Sequence, residues 1–445
     1  MALTIEPTTV KRALSAHAAI GLLAGALLYL VCLSGTVLVL YDEWQRWEQP
    51  DAPEMTAISP AAVQRGIEAV WASEAVRLSE AGQTPTTHLY VHLPTAELPR
   101  TTVTTDTSAV HLERSGEIAV PEENLWSEFL YALHYTLNLP ATLGIILVGA
   151  LGALMLALAI SGVIAHPKIF RDAFRLRARN GGGVGIADWH NRLSVWTLPF
   201  SVAVALTGAI IGLGTLAAFA VASASYGGDV EAVYAGLFGD EPAPNPALSS
   251  IPDVTRIFSY MAAEYPEVEV NYVILHDPGT AGQHVQVVGG HERRLIFGEY
   301  YTFDAQGEFV GAAGLADGAM GQQAAASIYS LHFGDYGGLP VKLAYIVFGL
   351  ALTAISATGV YIWLGKRRRR GIHDPRLYSV WHTVVWGAPL ALALTWVARI
   401  TIGNAAPFTA IFWGSLTAAL LFAAWRPHIF VKRLNDAEPG NKQLA

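Results

Sequence analysis

The sequence predicts a polytopic α-helical membrane protein: a duplicated four-helix core, about two further C-terminal helices, and two water-exposed α+β domains between the spans. Three observations predict it: the composition, the number of long apolar runs, and a histidine word that recurs in register. Of 445 residues, 52% are hydrophobic and 14% charged, with a mean hydropathy of +0.36. That is too apolar for an ordinary soluble protein. Six stretches, roughly 18–41, 141–165, 194–221, 341–364, 380–402 and 406–425, approach or exceed the ~20 apolar residues that cross a hydrocarbon core as a helix.

Taken in order, residues 1–41 hold the N-terminus and the first span. Lys11 and Arg12 precede it, but it runs into Tyr41-Asp42-Glu43-Trp44 with no small-residue cleavage site. It reads as an uncleaved anchor and not as a signal peptide. In residues 42–133, Ser59-Pro60 opens a helix to about Leu78, followed by strands near His88–His92 and Arg100–Thr104. Residues 134–221 hold the second span, a basic loop and the third span. Residues 222–331 repeat the earlier order, with a helix opened by Ile251-Pro252-Asp253 and strands near Val268–Val273, His284–Val288 and Tyr300–Phe303. The fourth span lies in 332–366, and residues 367–445 hold a basic loop, spans five and six, and the tail.

Basic residues orient the chain. Lys168, Arg171, Arg175, Arg177, Arg179 and Arg192 crowd one loop, Lys366 and Arg367–Arg370 follow the fourth span, and Arg426, Lys432 and Arg433 lie in the tail. The positive-inside rule makes these loops and both termini cytoplasmic and puts 42–133 and 222–331 on the outer side. The Arg367–Arg370 run abuts a membrane helix, so it suits anionic lipid headgroups and not nucleic acid. Gly181–Gly185 follows no strand and fits no βαβ unit, so it is a linker and not a nucleotide fingerprint. The single cysteine, Cys32, excludes intrachain disulfides, thiolate zinc, iron–sulfur clusters and covalently attached c-type haem. A redox metal would fall to His, Asp, Glu, Met or Tyr.

Four histidines stand in register. His17 precedes Gly35 of Ser34-Gly35 by eighteen residues, and His190 precedes Gly208 of Thr207-Gly208 by eighteen. His134 precedes Gly162 by twenty-eight, and His332 precedes Gly359 by twenty-seven. A parallel duplication of this kind implies a pseudo-two-fold axis along the membrane normal, with equivalent residues facing each other across it. Two imidazoles converging from opposite helices are what a six-coordinate b-type haem requires. The expectation is two haems, held by His17 with His190 on the inner side and His134 with His332 on the outer. His166, in His166-Pro167-Lys168, is an alternative inner ligand or a propionate partner. Gly21, Gly25, Gly144, Gly149, Gly152 and Gly349 in the same spans suit close helix approach, with or without a macrocycle. His382 is expected to be interfacial, and His88 and His92 to be surface residues on one strand face.

Leu133-His134, the stretch Ser161-Gly162-Val163-Ile164-Ala165-His166-Pro167-Lys168-Ile169-Phe170-Arg171-Asp172, Asp188-Trp189-His190-Asn191 with Leu198-Pro199-Phe200, and Leu331-His332-Phe333-Gly334 resemble the PepSY-associated transmembrane-helix family over about residues 11–400. The resemblance implies PepSY-type domains in both outer loops and a bacterial inner membrane. Some members of that family are haem-bearing reductases of ferric siderophores, and it singles out His17, His134, His166, His190 and His332. Two functions follow as expectations. One is a transmembrane conduit that takes electrons from a quinol or a cytoplasmic reductase and reduces a ferric siderophore on the outer side. Its acceptor site would lie near Trp126, Tyr131, Tyr135, Tyr329 and Tyr336. The other is a non-enzymatic membrane scaffold whose outer domains bind peptides or proteases.

Overall fold

Among the described residues, helix α1 (Pro7–Leu38) is the first of six helices long and apolar enough to cross a membrane. It is followed by α2 (Tyr41–Glu48), α3 (Pro60–Glu80) and strands β1 (His88–His92), β2 (Thr102–Thr105), β3 (Ala109–Leu112) and β4 (Ile118–Pro121). Next come α4 (Leu125–Tyr135), α5 (Ala141–Ala165), α6 (Val184–Trp196), α7 (Leu198–Ser225), α8 (Val230–Phe238) and α9 (Val254–Glu264). Strands β5 (Glu269–His276), β6 (His284–Gly290), β7 (Glu299–Phe303) and β8 (Phe309–Ala312) lead to α10 (Met320–Ala326) and α11 (Ile328–Phe333), then α12 (Gly338–Arg369), α13 (Pro375–Thr401) and α14 (Phe408–Trp425). The computed structural model describes residues 6–82, 86–174, 184–238, 242–291 and 295–429. Arg175, Arg177, Arg179, Gly181–Gly183, Lys432 and Arg433 lie outside them.

The chain divides into two units, one comprising 1–39, 125–213 and 337–445, the other 40–124 and 214–336. In the helical unit, all six expected spans are present as α1, α5, α7, α12, α13 and α14. The polytopic membrane architecture is therefore as expected. Small residues set the closest crossings: a Cβ on Gly149 of α5 would come within 2.7 Å of the Gly212 backbone of α7, and one on Gly349 of α12 within 2.5 Å of Thr36 Oγ1 of α1. These glycines thus serve helix contact. Three of the four repeat histidines precede their spans on separate short helices: His134 on α4, His190 on α6 and His332 on α11. Leu137 and Asn138 at positive φ turn the chain between α4 and α5, and Asn138 Oδ1 accepts from Trp413 Nε1 at 3.1 Å.

The other unit has a single antiparallel eight-stranded sheet, ordered β4-β3-β2-β1-β5-β6-β7-β8. The two loops contribute a helix and four strands each, in the same order, as the repeat predicts. They do not stand as two modules, because β1 pairs with β5 across the middle of the sheet, from His88 opposite His276 to His92 opposite Tyr272. Alternation explains the shared core: Leu89, Val91, Val103, Val273 and Leu275 all point to one face and are fully buried with Val63 and Ile67 of α3 and Val254 and Ile257 of α9. Each such side chain contributes about 1.5–3 kcal/mol. Both helices are capped as their sequences direct: Ser59 Oγ accepts from Ala62 N, with Pro60 in the first turn, and Asp253 Oδ1 accepts from Thr255 N.

Two buried polar groups tie loops to this core. Glu74 of α3 accepts from Thr105, Thr107 and Ser108 at the β2–β3 turn. Arg100 donates to the carbonyls of Gln45 and Gln49 at the C-terminal end of α2, where a cation also suits the helix dipole. Burial, helped by the nearby Arg100, pushes the His111 imidazole down to about 4.

Candidate functional site

Three of the four repeat histidines lie in the helical unit, and all three meet the same surroundings. His17 places Nδ1 3.1 Å from the Leu158 carbonyl and 3.1 Å from Ser161 Oγ, both on α5. His134 places Nδ1 3.0 Å from the Val31 carbonyl and 3.4 Å from Ser34 Oγ, both on α1. His190 places Nδ1 3.0 Å from Thr358 Oγ1 on α12, with the Ile355 carbonyl as its backbone partner. The hydroxyl residue is always three positions after the residue that offers the carbonyl, so both lie on one helix face.

A glycine completes each seat. It follows the hydroxyl residue directly, and the imidazole lies against it. A Cβ on Gly35 would come 2.6 Å from His134 Cε1, one on Gly162 3.3 Å from His17 Cε1, and one on Gly359 3.4 Å from His190 Cε1. The hydroxyls are themselves fixed by their own helices: Ser34 donates to the Leu30 carbonyl, Ser161 to Leu158 and Thr358 to Ala354. An oxygen that has spent its hydrogen on a carbonyl can only accept from the imidazole. With a second carbonyl as partner, the ring proton belongs on Nδ1, leaving the lone pair on Nε2. This is how ligating histidines are held: one nitrogen anchored by a hydrogen bond, the other presented to a metal.

His17 and His190 are brought together. Their ring centroids are 6.3 Å apart with planes at 86°. Two imidazoles bound to one metal span about 6 Å, from two metal–nitrogen bonds of about 2.0 Å plus about 1 Å from each nitrogen to its ring centre. Among the described residues, no group of three or more His, Cys, Asp or Glu is placed to hold a metal ion. A pair of nitrogens alone suits an iron whose other ligands come from a macrocycle. Nearby cations suit the carboxylates such a group carries. Arg192 is buried, with its Nε lacking a partner among the described residues, and Lys366 lies within electrostatic reach of His17 and His166.

His166 caps α5 and lies within electrostatic reach of both His17 and His190. Among the described residues no hydroxyl–glycine seat fixes it, so the geometry favours His17 and His190 as the ligand pair. His332 belongs to the sheet unit, where its ring lies 5.8 Å from Phe333. The fourth hydroxyl–glycine word, Thr207-Gly208, repeats the local bonding, Thr207 donating to the Ala203 carbonyl at 2.7 Å.

Other sequence candidates change character. Trp126 is a packing anchor, 3% exposed and donating to Thr395 Oγ1. Tyr131 stacks on Tyr135 in the helical unit, whereas Tyr329 packs on Phe297 in the sheet unit. His88 and His92 pack on neighbouring rings: His88 lies edge-on to His276 while remaining partly exposed, and the more buried His92 lies edge-on to Tyr272. Burial brings His92 down to about 4. His276 stacks on His284 at 4.3 Å, so the rings of the row His88–His276–His284 pack on one another. The seat residues Ser34, Ser161 and Thr358 were visible as the recurring words that close each apolar run. Their role was not visible there, because each serves a histidine from a different helix.

A family model described as the PepSY-associated TM region matches residues 14–366. A curated relative, Uncharacterized protein PA4219 of Pseudomonas aeruginosa, is 27% identical over 252 residues, covering 53% of this chain and 64% of the relative.

Proposed function

Because the chain belongs to the PepSY-associated TM region family, and its histidines occupy the seats described above, we propose that it is a di-haem electron-transfer protein that reduces ferric siderophores and releases Fe(II). The observation that carries this reading is the threefold recurrence of one histidine seat, each anchoring Nδ1 and backed by glycine. When bound, haem b supplies a one-electron couple between ferric and ferrous iron. His17 and His190 would hold one group through their imidazoles, with Arg192 and Lys366 available to its carboxylates. His134 would serve the second, and the sequence repeat names His332 as its counterpart.

The family implies a bacterial inner-membrane location, and the distribution of Lys and Arg supports an orientation with the sheet-forming loops in the periplasm. Electrons would enter from a quinol or a cytoplasmic reductase. The substrate chemistry is consistent with a one-electron device: hard oxygen donors such as hydroxamates hold Fe(III) far better than Fe(II), so one electron loosens the metal. The alternative, a non-enzymatic scaffold that binds peptides or proteases, draws on the terminal strands β4 and β8, either of which could accept an extended peptide. It leaves the three seats without a use.

The test is a reoxidation experiment. Protein reduced with dithionite under anaerobic conditions is expected to be reoxidised by a ferric hydroxamate, with an Fe(II) trap developing colour at the same rate. Haems that stay reduced with every ferric chelate, yet are oxidised by another acceptor, would remove iron release from the account.

A further inference from the structure

Helix α13 lies beyond the matched family region, yet it packs on α1 and α12, two of the four helices that build the His17–His190 site. Trp381 donates its indole N–H to the Ala357 carbonyl at 3.1 Å, one residue before Thr358, and lies 3.8 Å from where a Cβ on Gly25 of α1 would stand. Tyr29 of α1 donates to the Val385 carbonyl at 2.6 Å. The next residue after Trp381, His382, places Nδ1 3.0 Å from Tyr361 Oη of α12. Tyr361 is three residues beyond Thr358, a rise of about 4.5 Å along the same helix face.

Aromatic rings flank this polar pair. Tyr378 stacks on His382 with 6.0 Å between centroids and 14° between planes, and Trp386, one turn on, lies 6.3 Å away. Residues 378, 382 and 386 share one face of α13. Trp386 is 66% exposed in a span apolar enough to cross a membrane, so this face is open to lipid. A proton-carrying His–Tyr pair between aromatic rings, reachable from lipid and one helix turn from the seat of His190, suits a donor that is planar, apolar and rich in hydroxyl protons.

We propose that Tyr361 and His382, with Tyr378 and Trp386, form the site at which a membrane quinol docks and is oxidised. This rests on the electron-transfer reading above and assigns its donor. The quinol loses two electrons and two protons to become the quinone, and two ferric chelates each gain one electron to become Fe(II). The protons leave one at a time from the quinol hydroxyls to the His382–Tyr361 pair. Tyr378 and Trp386 hold the ring, and the hydrogen bond between Tyr361 and His382 fixes the imidazole towards it.

The test uses the full-length haem-loaded protein in nanodiscs. Photo-crosslinking with an azido-ubiquinone, mapped by peptide mass spectrometry, is expected to label residues on α13 near His382 and to be suppressed by excess decylubiquinone. Decylubiquinol should reduce the wild-type haems, and His382→Phe should slow that reduction roughly a hundredfold, with Tyr361→Phe falling between. The haem content and spectrum of each variant report whether it is folded. Labelling elsewhere, or equal rates for wild type and His382→Phe, overturns the proposal. Should decylubiquinol fail to reduce a wild-type protein that, once reduced by dithionite, still passes electrons to a ferric chelate, the donor site falls and the electron-transfer reading stands. Haem-free protein overturns both.

Discussion

On the proposed di-haem reading, His190→Ala is expected to leave purified protein with one haem per chain in place of two, or with one iron converted from low-spin to high-spin. The reason is the pairing of His17 and His190 at 6.3 Å, which leaves no substitute of equal placement: His166 has proximity but no seat. A graded series should accompany it. Thr358→Val removes the hydroxyl that accepts from His190 Nδ1, at nearly constant volume, so the histidine remains with the Ile355 carbonyl as its one anchor. Changes of this kind cost about 10–100-fold in metal affinity. The checks are haem quantification and the low-temperature absorption spectrum of each variant. Two unaltered haems in His190→Ala would remove this residue from the ligand set, and full loss only on replacing His166 would transfer the role there.

Gly35→Leu is expected to do from the opposite helix what removing His134 would do directly. A Cβ on Gly35 would stand 2.6 Å from His134 Cε1, well inside contact distance, before the rest of the leucine is added. The imidazole must then leave Ser34 Oγ and the Val31 carbonyl, and overpacking of this kind costs about 1–3 kcal/mol in stability. The expected result is loss of one haem with the remaining one spectrally intact. Gly414→Leu is the comparator, since nothing lies within 4 Å of a Cβ there. Full haem content in Gly35→Leu would mean that this glycine does not seat a ligand.

The spans and strands β1, β2, β5, β6 and β7 are legible because long apolar runs and alternation are local signals. The short strands β3, β4 and β8 carry too few residues for either period to show. That the two loops share one sheet was not legible, since alternation in β1 and β5 reveals a buried face but not which strand lies alongside. The candidate site divides in the same way. The repeat exposes His17, His134, His190 and His332 as a set, and the hydroxyl–glycine words as its closing marks. It could not show that His17 sits on the word of α5 while His134 sits on the word of α1, an exchange between helices that only packing creates. His382 reads as interfacial in the sequence because it begins span five, outside the duplicated unit. Its bond to Tyr361 comes from the packing of α13 on α12.

The central claim is that the seats hold haem ligands. It is tested most directly by the haem-to-protein ratio, measured as the pyridine haemochrome, together with the electron paramagnetic resonance spectrum of protein purified from haem-replete cells. The account predicts two haems b per chain, both low-spin with two imidazole ligands, and a Soret band that shifts on reduction. Colourless protein, or iron bound without imidazole ligation, would contradict it.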